Sequence, residues 1–123
     1  MPLFRRKDGP DSEGFYPTDI APEVVGENEM ITVRLGSDFA IVTRAGGELA
    51  AFSNICPHAA ADLRKGRLAR GQIKCHEHGY TFDVRSGRAA WPEGEGCRLM
   101  RFEVRVVEGR VRLRPAWQRL AAG

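Results

Sequence analysis

Cysteine is scarce and odd in number, three in 123 residues. Small secreted domains that depend on disulfides carry more cysteines and even numbers of them, which excludes a disulfide framework. No apolar run comes near the roughly 18 residues that a membrane-spanning helix needs, so no membrane contact is expected. Arg5, Arg6 and Lys7 are followed by no apolar stretch. The opening residues therefore read as neither a secretory nor a twin-arginine leader, and the expected compartment is the cytoplasm. No segment of helical length carries a helical apolar stripe, Ala116 to Leu120 being the one candidate, and there are no internal repeats or low-complexity tracts. Also missing are a nucleophile elbow, a phosphate-cradling glycine loop and a basic surface interleaved with aromatics. Those absences remove the obvious routes to hydrolysis, nucleotide chemistry and nucleic-acid binding.

What is present is ordinary globular material. With 42% hydrophobic and 28% charged residues, a chain of this length can bury one core without needing metal or disulfides merely to stay folded. Residues 1–22 hold Pro2, Pro10, Pro17, Gly9 and Gly14 with little periodicity, and read as an arm, extended or partly disordered, ahead of a domain at 23–123. From Met30 the pattern turns to period two: Ile31, Val33 and Leu35 alternate with Thr32 and Arg34, and Phe39 to Thr43 follows after Gly36-Ser37-Asp38. Ala45-Gly46-Gly47-Glu48 supplies another tight turn into Leu49 to Ser53. Near the other end Phe102, Val104 and Val106 alternate with arginines and Glu103, and after Glu108-Gly109-Arg110 come Val111 and Leu113. These are strands of antiparallel hairpins, so the expected class is mainly β.

Charge is segregated beneath the net +3: residues 1–30 hold three basic and seven acidic side chains, residues 54–90 seven basic and three acidic. Arg64, Lys65, Arg67, Arg70 and Lys74 fall in that middle section, where they read equally as a solvated loop or as a basic rim that steers an acidic partner.

The middle section also holds the informative spacing. Cys56-Pro57-His58 is followed, after sixteen residues, by Cys75-His76-Glu77-His78, so each of two short loops offers one thiolate and one imidazole. Iron in a sulfide-bridged pair takes thiolates, and replacing two of them on one iron by neutral imidazoles raises the reduction potential. Zinc can also bind two Cys and two His, but zinc fingers pair like with like within each arm, whereas both arms here are mixed. A two-iron cluster fits the pattern better than zinc, which stays open on spacing alone.

With Gly79, Phe82-Asp83 and Ser86-Gly87 after the second loop, the pattern resembles the Rieske family signature across roughly Met30 to Arg114. The resemblance implies a Rieske fold, an antiparallel β-sandwich base carrying a small cluster-binding subdomain made of the two ligand loops. It also implies one [2Fe-2S] cluster per chain, with Cys56 and Cys75 on one iron and His58 and His78 on the other, and the histidine iron outermost.

Respiratory and photosynthetic Rieske proteins carry a further cysteine in each ligand loop where this chain has Ala61 and Glu77, and a serine and a tyrosine where it has Tyr80 and Phe82. Fewer donors aimed at sulfur imply a potential toward the low end of the Rieske range of roughly −150 to +300 mV. The chain resembles the stand-alone ferredoxins of multicomponent oxygenases, which implies a monomeric one-electron carrier between an NAD(P)H-dependent flavoprotein reductase and a terminal oxygenase. Alternatives are the small subunit of an assimilatory nitrite reductase or a Rieske component of another redox complex. With His58 and His78 committed to iron, no facial triad of two histidines and a carboxylate remains, so no catalytic residues of its own are expected.

Other residues carry weaker signals. Cys97 reads as a buried structural thiol and His76 as an exposed neighbour of the ligands. Trp91-Pro92 resembles the proline loop that covers the cluster in this family, with core packing of Trp91 as the alternative. Gly66, Gly71, Gly79 and Gly87 read as turn or close-approach positions, Gly79 being the one to substitute first.

Overall fold

The structure, a computed structural model, describes residues 9–117. Ten strands follow in chain order: β1 (Tyr16–Pro17), β2 (Ile31–Leu35), β3 (Asp38–Ala45), β4 (Glu48–Ser53), β5 (Arg67–Ala69), β6 (Gln72–Lys74), β7 (Thr81–Asp83), β8 (Ala89–Trp91), β9 (Arg101–Val107) and β10 (Arg110–Pro115). They build a six-stranded sheet in the order β1-β10-β9-β4-β3-β2 and a four-stranded sheet in the order β5-β6-β7-β8, antiparallel throughout. The mainly β, antiparallel class expected from the sequence is the one observed.

Turn chemistry sets the register. Gly46 and Gly47 have φ of +62° and +84°, the pair of positive values that a two-residue type I′ turn needs, so Ala45 pairs with Glu48 and the ladder runs on to Ala40 opposite Ser53.

β3 and β4 are buried on both faces. Ile41, Ala50 and Phe52 point into a core with Cys56, Leu63, Ile73, Cys75 and Phe82, while Ala40, Val42 and Ala51 point into a second core with Val25, Phe102, Val111 and Leu113. That is why Phe39 to Val42 and Leu49 to Phe52 run apolar without alternation, in contrast to β2. The two cysteines of the candidate site thus share a core with Phe52 of the larger sheet. Each large side chain buried there contributes about 1.5–3 kcal/mol relative to exposure, which anchors the base of both loops.

The described part of the leading segment lies along β10. Tyr16 pairs with Leu113, the Thr18 hydroxyl donates to the Val111 carbonyl at 2.6 Å, and buried Phe15 sits under the guanidinium groups of Arg105 and Arg114, 4.1 and 4.4 Å from its ring centre. Of the helical stretch expected at Ala116 to Leu120, Ala116 and Trp117 are helical and the remainder lies outside the described residues.

Candidate metal centre

Two loops of the same design carry the four candidate ligands. In the first, the Cys56 amide donates to the Ala61 carbonyl at 2.8 Å and the Cys56 carbonyl accepts from the Ala60 amide at 2.7 Å. In the second, the Cys75 amide donates to the Tyr80 carbonyl at 2.7 Å and the Cys75 carbonyl accepts from the Gly79 amide at 3.1 Å. The fifth residue of each turn takes the left-handed conformation, Ala60 at φ +58° and Gly79 at φ +76°. Sequence reasoning missed this equivalence because an alanine gives no sign of positive φ, a conformation that costs a residue with a Cβ about 1–2 kcal/mol.

The first loop is closed at its base by Asp62. Its carboxylate accepts from the Arg64 amide at 3.0 Å, from the Arg64 guanidinium at 2.8 Å and from the Asn54 side chain at 3.2 Å, capping the short 3₁₀ turn Leu63–Lys65. The Arg64 side chain foremost, then the capping bonds, hold the Asp62 carboxyl well below the usual carboxylate range despite partial burial. A folded-state pKa depressed in this way contributes stability above the unfolded value, about 3.9, and loses it as pH falls through the folded one. Asp62→Asn is therefore expected to cost about 1 kcal/mol near neutral pH, the modest size reflecting solvent screening of a pair whose side chains are 25% and 38% exposed. The gap between parent and variant should narrow steadily below about pH 4; thermal unfolding across that range checks both statements.

The four side chains form two pairs. Cys56 and Cys75 are each 1% exposed and their sulfurs lie within hydrogen-bonding reach of each other. Burial pushes the Cys56 thiol up, opposed by the amides of Ala59 and His58, which donate to its sulfur. His58 and His78 are exposed, with ring centres 5.4 Å apart and planes at 84°. Among the described residues no three His, Cys, Asp or Glu side chains gather as a single-ion site does. A mononuclear zinc asks for its donors around one point, whereas a two-iron group has two ends, and a buried thiol pair beneath an exposed imidazole pair matches the latter.

The residues beside the pairs are aromatic. Tyr80 stacks on His58 at 3.6 Å between ring centres, with planes only 11° apart, and Trp91 sets its edge against Tyr80 at 6.2 Å. Trp91 is 55% exposed, so the core-packing alternative for it does not hold. Burial pushes the Tyr80 hydroxyl up, and Glu95, which accepts from it, adds to the shift. Cys97 is also pushed up, by burial first and then by Glu95. The expectation of a buried Cys97 is corrected: it is half-buried, packed against the edge of the core that holds Cys56 and Cys75, because its segment after Gly94-Glu95-Gly96 has no regular structure and runs along the surface. His76 is exposed, 3.3 Å from the Glu77 carboxylate. Glu95, and the stacking role of Tyr80, were not legible in the sequence, since neither depends on a ligand spacing.

A family model of the Rieske [2Fe-2S] domain matches residues 15–118. The chain belongs to the Rieske family. As a Rieske domain it is built to carry one [2Fe-2S] cluster. It is 33% identical over 92 residues to mouse apoptosis-inducing factor 3, a stretch covering 75% of this chain and 15% of that protein. It is 36% identical over 80 residues to ferredoxin CarAc of Metapseudomonas resinovorans, covering 63% of this chain and 72% of that one. Among solved structures, a chain of the complex of reduced oxygenase and oxidized ferredoxin in carbazole 1,9a-dioxygenase superposes with a TM-score of 0.68 at 29% identity, over 84% of this chain and 94% of that chain. The Rieske chain described here spans less than a third of several of its curated relatives, such as the mouse protein. No described helix is long and apolar enough to cross a membrane.

Proposed function

We propose that this Rieske chain is a one-electron carrier that accepts electrons from an NAD(P)H-dependent flavoprotein reductase and delivers them to a terminal oxygenase. In this reading it is a component of an oxidoreductase system and not an enzyme by itself. The observation that carries it is the buried Cys56 and Cys75 pair set beneath the exposed His58 and His78 pair. Further support comes from the likeness to ferredoxin CarAc along 72% of that protein, and to a chain of an oxygenase and ferredoxin complex along 94% of that chain. Three free cysteines suit a reducing compartment, and we place the carrier in the cytoplasm.

Cys56 and Cys75 would hold one iron and His58 and His78 the other. When bound, the [2Fe-2S] group supplies one-electron redox chemistry. The chain's own residues do the rest. The Ala59 and His58 amides favour the thiolate of Cys56 over its thiol, and the core around Phe52, Leu63 and Phe82 keeps water from the thiolate end. The exposed imidazoles leave an edge that a partner can approach. Phe82 has no donor to offer sulfur, which favours a low potential, suited to a carrier fed from nicotinamide.

The test is a low-temperature electron paramagnetic resonance spectrum of the dithionite-reduced protein, followed by reconstitution with reductase and oxygenase. A rhombic signal with average g below the free-electron value, and turnover that depends on the added chain, are the expected results. A colourless protein holding zinc and giving no signal would end the carrier reading.

A further inference from the structure

One row of side chains crosses the whole of the smaller sheet on its exposed face. Arg67 lies opposite Lys74, Lys74 opposite Thr81, and Thr81 opposite Trp91. The inward positions beside them, Leu68, Ile73 and Phe82, face the core, so the row is held outward by the pleat. Arg67 and Lys74 are like charges directly across from each other, an arrangement that destabilises a strand pair when nothing anionic covers it. Neither has an ion pair or a hydrogen-bonded side-chain partner among the described residues. Three arginines of the larger sheet, by contrast, do meet carboxylates: Arg112 pairs with Asp11, Arg105 with Glu13 and Arg114 with Glu103.

The row also has a position and an anchor. Lys74 Cε and Trp91 Cζ3 lie 3.6 and 3.9 Å from where a Cβ would stand on Gly79, so both side chains meet over the residue that follows His78. Trp91 touches Tyr80 edge-on, and Tyr80 stacks on His58. The cationic row therefore ends in a half-exposed tryptophan that reaches His58 through Tyr80 and lies over the residue that follows His78. Tryptophan at the centre of a contact is the commonest source of binding energy, while unpaired surface cations steer approach and set register.

We propose that this row is the docking face for a redox protein whose contact surface is acidic, with Trp91 as the apolar anchor and Arg67 and Lys74 as the orienting charges. The inference rests on the carrier reading and names the partner chemistry of that site.

Stopped-flow oxidation of the reduced protein by anionic ferricyanide and by cationic hexaamminecobalt(III) tests the charge directly. At low ionic strength the Arg67→Glu, Lys74→Glu double variant should react about tenfold more slowly with ferricyanide and faster with the cobalt complex, both differences collapsing in high salt. Quenching of tryptophan fluorescence gives a readout that needs no electron transfer: iodide should quench Trp91 better than caesium, and the double variant should reverse the order. An acidic flavodoxin should bind the loaded protein, and Trp91→Ala should weaken that binding about tenfold. Equal behaviour of the two ions and the two oxidants in parent and double variant would overturn the proposal, as would tighter binding of a short DNA duplex than of flavodoxin. Failure of both oxidants to take an electron would sink the carrier reading instead, and the quenching result would still decide the charge of the face.

Discussion

Replacing both His58 and His78 by cysteine is expected to lower the midpoint potential by about 250 mV or more, the gap between the foot of the Rieske range and the all-thiolate clusters of plant-type ferredoxins. The reason is charge. Two neutral imidazoles become two thiolates, so the electron is added to a centre with two more negative charges around it. The substitution is gentle on the fold, because both histidines are exposed and neither is part of the core that holds Cys56 and Cys75; such surface changes usually move stability by no more than about 0.5 kcal/mol. Spectroelectrochemical titration measures the shift. His76→Cys is the control: His76 sits between the ligand positions in sequence but is exposed beside Glu77, and its substitution should leave the potential where it was. If the double variant kept the parent's potential, or if His76→Cys moved it as far, the assignment of His58 and His78 as iron ligands would be wrong.

The ligand set could be proposed from sequence because metal chemistry is written in residue type and spacing: a thiolate and an imidazole two or three positions apart, twice. The strands β2, β9 and β10 were legible from alternation, and β3 and β4 from the Gly46-Gly47 turn between them. Less was visible where the fold depends on contacts across sequence. β3 and β4 run apolar because a core lies on each face, a fact about their neighbours and not about their own period. The stack of Tyr80 on His58, the carboxylate of Glu95 beside Tyr80 and Cys97, and the left-handed Ala60 all arise from how the two loops lie together. The basic rim was half legible. Its charges could be counted, yet the structure separates Arg64, which Asp62 engages, from Arg67 and Lys74, which stand opposite each other in one row. Only the strand register makes that distinction.

Gly66→Ala is expected to cost about 3 kcal/mol and to lower the melting temperature by more than about 10 °C, with iron content falling in parallel. The backbone conformation is not the cause. Gly66 has φ −88° and ψ −165°, extended values that any residue adopts. The cause is contact: a Cβ there would collide with the Lys74 carbonyl oxygen and stand 3.2 Å from its carbon and 3.3 Å from the Leu63 carbonyl oxygen. These are backbone atoms, so no side-chain rotation relieves the clash. Lys74 is held by pairing with Arg67 on one side and Thr81 on the other, and it immediately precedes Cys75, so any shift that makes room moves a candidate ligand. Gly79, the glycine that the sequence singles out for substitution, should be the milder case. A Cβ at Gly79 meets nothing nearer than 3.6 Å, leaving only the cost of a left-handed residue, about 1–2 kcal/mol. Ala60 already accepts that conformation at the equivalent place in the first loop. Thermal unfolding and iron analysis of the two alanine variants side by side separate the explanations. If Gly79→Ala were the more damaging, close approach of a side chain to the occupied centre would outweigh the backbone clash at Gly66. If Gly66→Ala is the more damaging, the limit on these loops is the seam between β5 and β6 that fixes Cys75 in place.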